Sequence, residues 1–361
     1  MRQAFAALLV LAAALPEAKA DTVYIGSRAS GDQQGIYAAK LDSGTGHLTG
    51  LGLVAPVGKA NWLLRAPVAG TLYSVTDDSV VVLKADARGH LTETGRAGSG
   101  GGGATYLDYD PASRTLFVAN YGTGQVAALP VAPDGGLSAA VSVVTDQGSG
   151  PSPRQKGPHA HQALLDPSRH FLLVSDLGAD KVFLYRFDTK SRQLQPAGYE
   201  PLPPGSGPRH LVFHPNGKLA FLITELSAEL KTYRWDAQKG GLTLTGTIST
   251  LAPDFQGKKS GAEIALSPDG RFLYLSNRGE DTIVVYAVDA KSGSVKETQR
   301  ISSEGKDPWS FTLTHDARWM VVGNEASGDL TVLERDGKTG KLRSTGEKLA
   351  SPNPVSVTIS P

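Results

Sequence analysis

Four short motifs carry side chains able to move protons and hold negative charge. Gly157-Pro-His-Ala-His161 offers two imidazoles and Gly207-Pro-Arg-His210 a guanidinium with a third imidazole. Thr224-Glu-Leu226 offers a carboxylate and Ser276-Asn-Arg-Gly279 a second guanidinium. Imidazole and carboxylate are the usual general bases near neutral pH. Guanidinium pairs with carboxylates, phosphates or a developing oxyanion. A second set stands in comparable settings: Asn120 and Tyr121, His159, Asp176, His210, Glu263, Asn277 and Asn324. Each has a plain structural reading as well. His161 could cap a backbone group, Arg209 could pair with a carboxylate across a blade junction, and Glu225 with a nearby Arg or Lys. Asn120 and Asn277 could hold tight loops.

The elements that must position these residues repeat along the chain. A unit reads as an apolar strand, a Pro-Asp-Gly-like turn, a second strand, an Asn/Glu/Arg loop, a third strand, then a Thr-Gly-x-Leu-like hairpin into a fourth. The clearest runs from Gly261 to Asp289. Aligned on the turn, the units fall at Pro111, Pro167, Pro215, Pro268 and His315, steps of about 47–56 residues, the spacing of four-stranded propeller blades. Two earlier units are degenerate, one through Leu72–Thr76 and Val80–Leu83, the other from Val23 to Leu41. The N-terminal unit, from Val23, lacks an innermost strand, and Pro354-Val-Ser-Val-Thr-Ile-Ser360 matches what is missing. The expected fold is therefore an all-β, seven-bladed propeller over residues 21–361, its ring closed by the C-terminal strand joining the N-terminal blade. No helical periodicity lies between the strands, which disfavours a TIM barrel.

In such a blade the loop before strand one and the loop after strand two share a face. Every motif above occupies one of those two loops, so their side chains are expected to converge on one axial mouth, the default ligand site of a propeller. His170, His214 and His315 lie at the opposite-face turns and read as surface residues. Tyr233 and Trp235 read as blade packing, and Gly98–Gly103 as a flexible connector.

The chain has 361 residues, 42 Gly, 22 Pro, no Cys and a net charge of +1 with mixed signs. No thiol can act, and no basic field favours nucleic acid. Residues 1–20 stand apart. Arg2, an apolar run from Ala4 to Leu15 and Ala18-Lys-Ala20 form a signal-peptide pattern too short to span a bilayer, with cleavage after Ala20. A periplasmic or secreted monomer, free of the membrane after cleavage, is expected.

The ordered set Gly-Pro-His-Ala-His, Gly-Pro-Arg-His, Thr-Glu-Leu and Ser-Asn-Arg-Gly on successive blades resembles the propeller-type lactonase family. That family includes the cycloisomerase-like 6-phosphogluconolactonase and the fungal carboxymuconate lactonising enzyme. The resemblance spans essentially residues 21–361 and is strongest from Gly100 to Arg343. It implies lactone hydrolysis on a sugar acid or related small molecule, with His161, Arg209, Glu225 and Arg278 as the catalytic set. Thr224 stands where an Asn is more usual, and the leader is at odds with a cytoplasmic phosphorylated substrate. Lactone opening needs an activated water, a stabilised oxyanion and a proton for the leaving alkoxide. Glu225 or His161 could be the base, with Arg209 and Arg278 on the anion. No metal-ligand spacing, Walker loop or dinucleotide fingerprint is present, so no cofactor or metal is expected. The rival classes are a non-catalytic propeller binding a small acid or a protein partner, and a redox or surface-layer propeller. The last would need haem-attachment or Tyr-Val-Thr-Asn repeats, which are absent.

Overall fold

The computed structural model describes residues 20–66, 68 and 70–360. Residues 1–19 of the expected leader lie outside that range, while Ala20 opens the first strand. Seven four-stranded antiparallel sheets make up the chain. Blade 1 holds β1 (Ala20–Ser27), β2 (Gly35–Asp42) and β3 (Leu48–Ala55), and β28 (Pro354–Ser360) is its innermost strand. Blade 2 runs β4 (Trp62–Arg65), β5 (Thr71–Val75), β6 (Ser79–Ala85) and β7 (Leu91–Gly98). Blade 3 runs β8 (Ala104–Asp110), β9 (Thr115–Asn120), β10 (Gln125–Pro130) and β11 (Ser142–Thr145). Blade 4 runs β12 (Ala160–Leu165), β13 (Phe171–Asp176), β14 (Lys181–Phe187) and β15 (Leu194–Pro201). Blade 5 runs β16 (Pro208–Phe213), β17 (Leu219–Thr224), β18 (Glu229–Asp236) and β19 (Gly241–Ser249). Blade 6 runs β20 (Gly261–Leu266), β21 (Phe272–Asn277), β22 (Thr282–Val288) and β23 (Val295–Ser302). Blade 7 runs β24 (Pro308–Leu313), β25 (Trp319–Asn324), β26 (Asp329–Arg335) and β27 (Leu342–Ala350).

The innermost strands β28, β4, β8, β12, β16, β20 and β24 touch in sequence and return to β28, which closes the ring. Pairing of β28 with β1, from Thr22–Ser360 to Ser27–Pro354, removes the edge that would otherwise face solvent. Second strands are buried along their length and largely apolar because both their faces meet a neighbouring blade. Leu219-Ala-Phe-Leu-Ile-Thr224 is buried throughout, whereas the outermost β19 is mostly exposed. The core is accordingly distributed. Each junction has its own cluster, such as Phe117, Val126, Val174 and Tyr185 between blades 3 and 4.

Tyr233 and Trp235 pack in the blade 4–5 cluster, as expected. His170 and His315 are exposed. His214 is not: it is 5% exposed. Its Nδ1 accepts the Asn216 N–H, and the next blade's turn seals it, Gly270 approaching so closely that a Cβ there would lie 2.5 Å from Nε2. The glycine run before β8 is also not a loose connector. A Cβ on Gly101 would meet Asn120 at 2.8 Å, one on Gly103 would meet Gly122 N at 2.8 Å, and the Gly103 N–H bonds Asp77 O at 2.5 Å. Gly103 is a glycine because two loops pack backbone to backbone there, and Gly101 because the Asn120 and Thr123 side chains fill the space of a Cβ.

Candidate active site

Two kinds of position bring side chains to the mouth, each used in several blades. The first is a bulge at the start of strand one. In blade 4 Ala160 faces Asp176 and Gln162 faces Ser175, which leaves His161 unpaired. In blade 5 Pro208 faces Thr224 and His210 faces Ile223, which leaves Arg209 unpaired. Thr105 and Trp309 are released in the same way in blades 3 and 7. A bulge puts an extra residue out of the ladder and re-aims its side chain. The second position is the residue just after strand two: Arg28, Tyr121, Glu225 and Arg278 in blades 1, 3, 5 and 6. The following glycine is obligatory in blade 6, because a Cβ on Gly279 would lie 1.8 Å from Lys258 O.

One residue earlier the side chain points elsewhere, because strand side chains alternate. Asn120 donates to Ser99 O (3.0 Å) and Gln125 O (3.2 Å), and Asn277 donates to Thr250 O (2.6 Å). Asn324 donates to Asp329 (3.0 Å) and Thr331 (3.2 Å). Asp176 accepts the N–H groups of His159 and Ala179, both at 2.8 Å. All four are fully buried and absent from the cavity wall. The structure therefore corrects their expected ligand role: they fasten the loops on which the mouth residues stand.

Of the expected set, His161, Arg209, Glu225 and Arg278 meet. Glu225 Oε2 is 2.9 Å from Arg278 Nη2, 3.3 Å from Arg209 Nε and 4.0 Å from His161 Nε2. Its Oε1 pairs with Arg154 Nη1, and Arg154 Nη2 donates to the Tyr121 hydroxyl at 3.1 Å. Tyr121 lines the cavity, and His159 stacks on it with ring centroids 4.6 Å apart, its Nδ1–H donating to Tyr121 O at 2.7 Å. His210 and Glu263 lie below, outside the cavity wall, joined Nδ1 to Oε1 at 2.9 Å. The His210 ring contacts Trp62, Tyr106 and His161 at 5.4, 5.2 and 5.0 Å. Their expected direct contact with ligand is thus replaced by a place in the floor beneath His161.

Electrostatics divides the roles. Burial alone would raise the Glu225 pKa, but Arg278, Arg209 and Arg154 outweigh it and hold the carboxyl at about 2. Burial, followed by the positive charge of Arg209, His210, Arg278 and Arg28, presses His161 well below its ordinary 6.5. His161 is therefore a neutral imidazole at pH 7, and its 4.0 Å approach to Glu225 is not an ion pair. Burial and then Arg278 lower Arg209 to about 10, still cationic.

The cavity holds about 230 Å³ and is lined by Arg28, Asn61, Thr105, Tyr121, Arg154, His161, Glu225 and Trp309, among others. That is the size of a small polar substrate. Arg28, Asn61, Arg154 and Trp309 were not anticipated as site residues. Arg154 comes from an irregular loop outside the repeat, fixed by Gln155, whose Nε2 donates to Leu177 O at 2.8 Å. Arg28 had a legible signal, since it stands after strand two of blade 1 as Glu225 does in blade 5.

A family model described as "Lactonase, 7-bladed beta-propeller" matches residues 22–359. The chain belongs to this lactonase family. Among its relatives is a 6-phosphogluconolactonase of Bacillus subtilis, 32% identical over 339 residues, covering 92% of this chain and 97% of that one. Among solved structures, the periplasmic gluconolactonase of Pseudomonas aeruginosa is 33% identical with a TM-score of 0.89, covering 95% of this chain and 99% of that one. A putative 6-phosphogluconolactonase from Bacteroides fragilis is 26% identical with a TM-score of 0.87, covering 97% of this chain and all of that one.

Proposed function

We propose that this lactonase-family propeller hydrolyses a sugar-acid lactone at the axial mouth, with His161 as general base. The observation that carries the reading is a buried neutral imidazole 4.0 Å from a carboxylate, both on the wall of one small cavity with Arg154, while Arg209 and Arg278 hold that carboxylate from behind the wall. A carboxyl at about 2, shared among three arginines, is a poor proton acceptor, whereas neutral imidazole has a free lone pair. His161 takes a proton from water as its oxygen attacks the lactone carbonyl. Arg278 and Arg209 stabilise the tetrahedral oxyanion, a contribution of about 10²–10³ per donor in comparable sites. As the ring C–O bond breaks, the imidazolium returns its proton to the leaving alkoxide, and the hydroxy acid departs. Glu225 holds the guanidiniums in place and stabilises the transient imidazolium. His210 and Glu263 support the His161 ring from below.

Export with removal of residues 1–20 fits this reading. It is supported by the leader pattern in the sequence and by likeness to a periplasmic gluconolactonase. The test is hydrolysis of gluconolactone, its 6-phosphate, muconolactone and an acyl-homoserine lactone by the chain from Asp21 onward, beside His161→Ala. Opening above the spontaneous rate, lost in the variant while its melting temperature holds, is the expected result. Wild type at the buffer rate on every lactone refutes it and leaves the mouth a binding surface.

A further inference from the structure

Arg28 lies across the mouth from His161, Arg209 and Glu225, and shares the Trp309 ring with Arg278, whose guanidinium carbon is 4.2 Å from the ring centroid. His161, Arg209 and Glu225 belong to blades 4 and 5, while Arg28 and Asn61 belong to blades 1 and 2. Arg28 Nε donates to Asn61 Oδ1 at 2.9 Å, and Asn61 Nδ2 is in turn anchored on Ala104 O at 3.1 Å. The guanidinium carbon lies 4.7 Å from the centroid of Trp309. The group is thus fixed in direction through its Nε and held against an aromatic ring. Its two terminal nitrogens are left for the cavity. Among the described residues no carboxylate comes within 4.0 Å of it, in contrast to Arg154, Arg209 and Arg278, which all converge on Glu225. Glu325, which attracts it from farther off, accepts the Asn353 amide instead.

A largely desolvated cation without a partner is costly to keep. An incoming anion recovers that cost, and a guanidinium whose terminal Nη1/Nη2 edge is free is shaped for phosphate or carboxylate. We propose that Arg28, aligned by Asn61 and Trp309, selects lactones that carry a second, anionic group remote from the ring carbonyl. A substrate spanning the mouth then places its carbonyl at blades 4–6 and its anionic tail at Arg28. The inference rests on the lactonase reading above and adds the substrate's charge class. The anion is a phosphate or a terminal carboxylate, which the experiment separates.

The experiment measures kcat/KM for gluconolactone, 6-phosphogluconolactone and a glucaric acid lactone with wild type, Arg28→Gln and Arg28→Lys. Wild type is expected to prefer one anionic lactone over the neutral one by at least tenfold. Arg28→Gln should collapse that ratio at least tenfold, with a melting temperature within a few degrees of wild type. Arg28→Lys, which keeps the charge, should retain the ratio within about threefold. The lactone whose ratio collapses names the anion. A wild type without preference, or a folded Arg28→Gln with the ratio intact, overturns the proposal. Should wild type open none of the three, the lactonase reading fails on its own. Calorimetric titration with 6-phosphogluconate and glucarate then decides on Arg28. Affinity at least tenfold weaker in Arg28→Gln sustains an anion site, and equal affinity removes it.

Discussion

Replacing Glu225 by glutamine keeps the side chain's shape and removes the one negative charge that Arg154, Arg209 and Arg278 share. Two effects follow, and both have a size. The first is on stability. Arg154 is half exposed and can swing into solvent, but Arg209 and Arg278 are buried and cannot. Breaking a buried pair by removing one partner typically costs about 3–5 kcal/mol. The second is on rate. The imidazolium that His161 becomes in the transition state loses a carboxylate 4.0 Å away, an interaction of about 4 kcal/mol at an effective dielectric constant of 20, or roughly three decades in rate. The pH profile should move as well. Wild-type kcat/KM should be flat from pH 6 to 8, because His161 is already neutral there. In Glu225→Gln any acidic limb should lie lower still, since the surrounding field is more positive. The assay is steady-state lactone opening between pH 5.5 and 8, corrected for spontaneous hydrolysis, with urea melts of both proteins. A variant as stable as wild type with kcat/KM within about fivefold would refute the clamp. A wild-type limb centred near 6.5 would refute the argument that burial and the arginines keep His161 neutral.

Three further outcomes are expected. Asp146→Asn should stabilise the protein: Asp146 is buried against Asp176, accepts the Tyr185 hydroxyl at 2.5 Å, and has its pKa raised by burial and then by the Asp176 charge. A carboxyl protonated when folded and ionised when unfolded loses stability as pH rises above about 4, so the variant's advantage in urea melts should grow from pH 6 to 8 by up to about 1.4 kcal/mol per pH unit; a constant difference would show the pair is not protonated. Tyr121→Phe removes the hydroxyl that holds Arg154, and steady-state kinetics should show KM raised about two- to fivefold with kcat within twofold. Truncation after Asn353 deletes β28 and bares β1 along its full length, so size-exclusion chromatography should show aggregate in place of the folded species.

The repeat made the fold legible. Pro-Asp-Gly-like turns recur because strand one must reverse tightly onto strand two, and apolar runs recur because second strands are buried on both faces. The orphan segment Pro354–Ser360 matched the missing strand of blade 1, which only a closed ring requires. The site was half legible by the same logic. His161, Arg209, Glu225 and Arg278 stand at loop positions that topology puts on one face. Asn120, Asp176, Asn277 and Asn324 stand at the same loops and were misread by a single residue, because one step along a strand turns a side chain from the mouth to the neighbouring backbone. His214 was misread because the turn that covers it belongs to another blade.

The sequence by itself determined the blade count, the ring closure and which loops share a face, since these follow from period and alternation within each repeat. Only the tertiary structure decided which charges meet. Arg154 reaches Glu225 from a loop with no periodicity. Arg28 stands without a carboxylate partner, across the mouth from blades 4 and 5. His161 is held neutral by burial first and by neighbouring charges from other blades second. These depend on distances between blades far apart in the chain, and on burial, which no local pattern encodes.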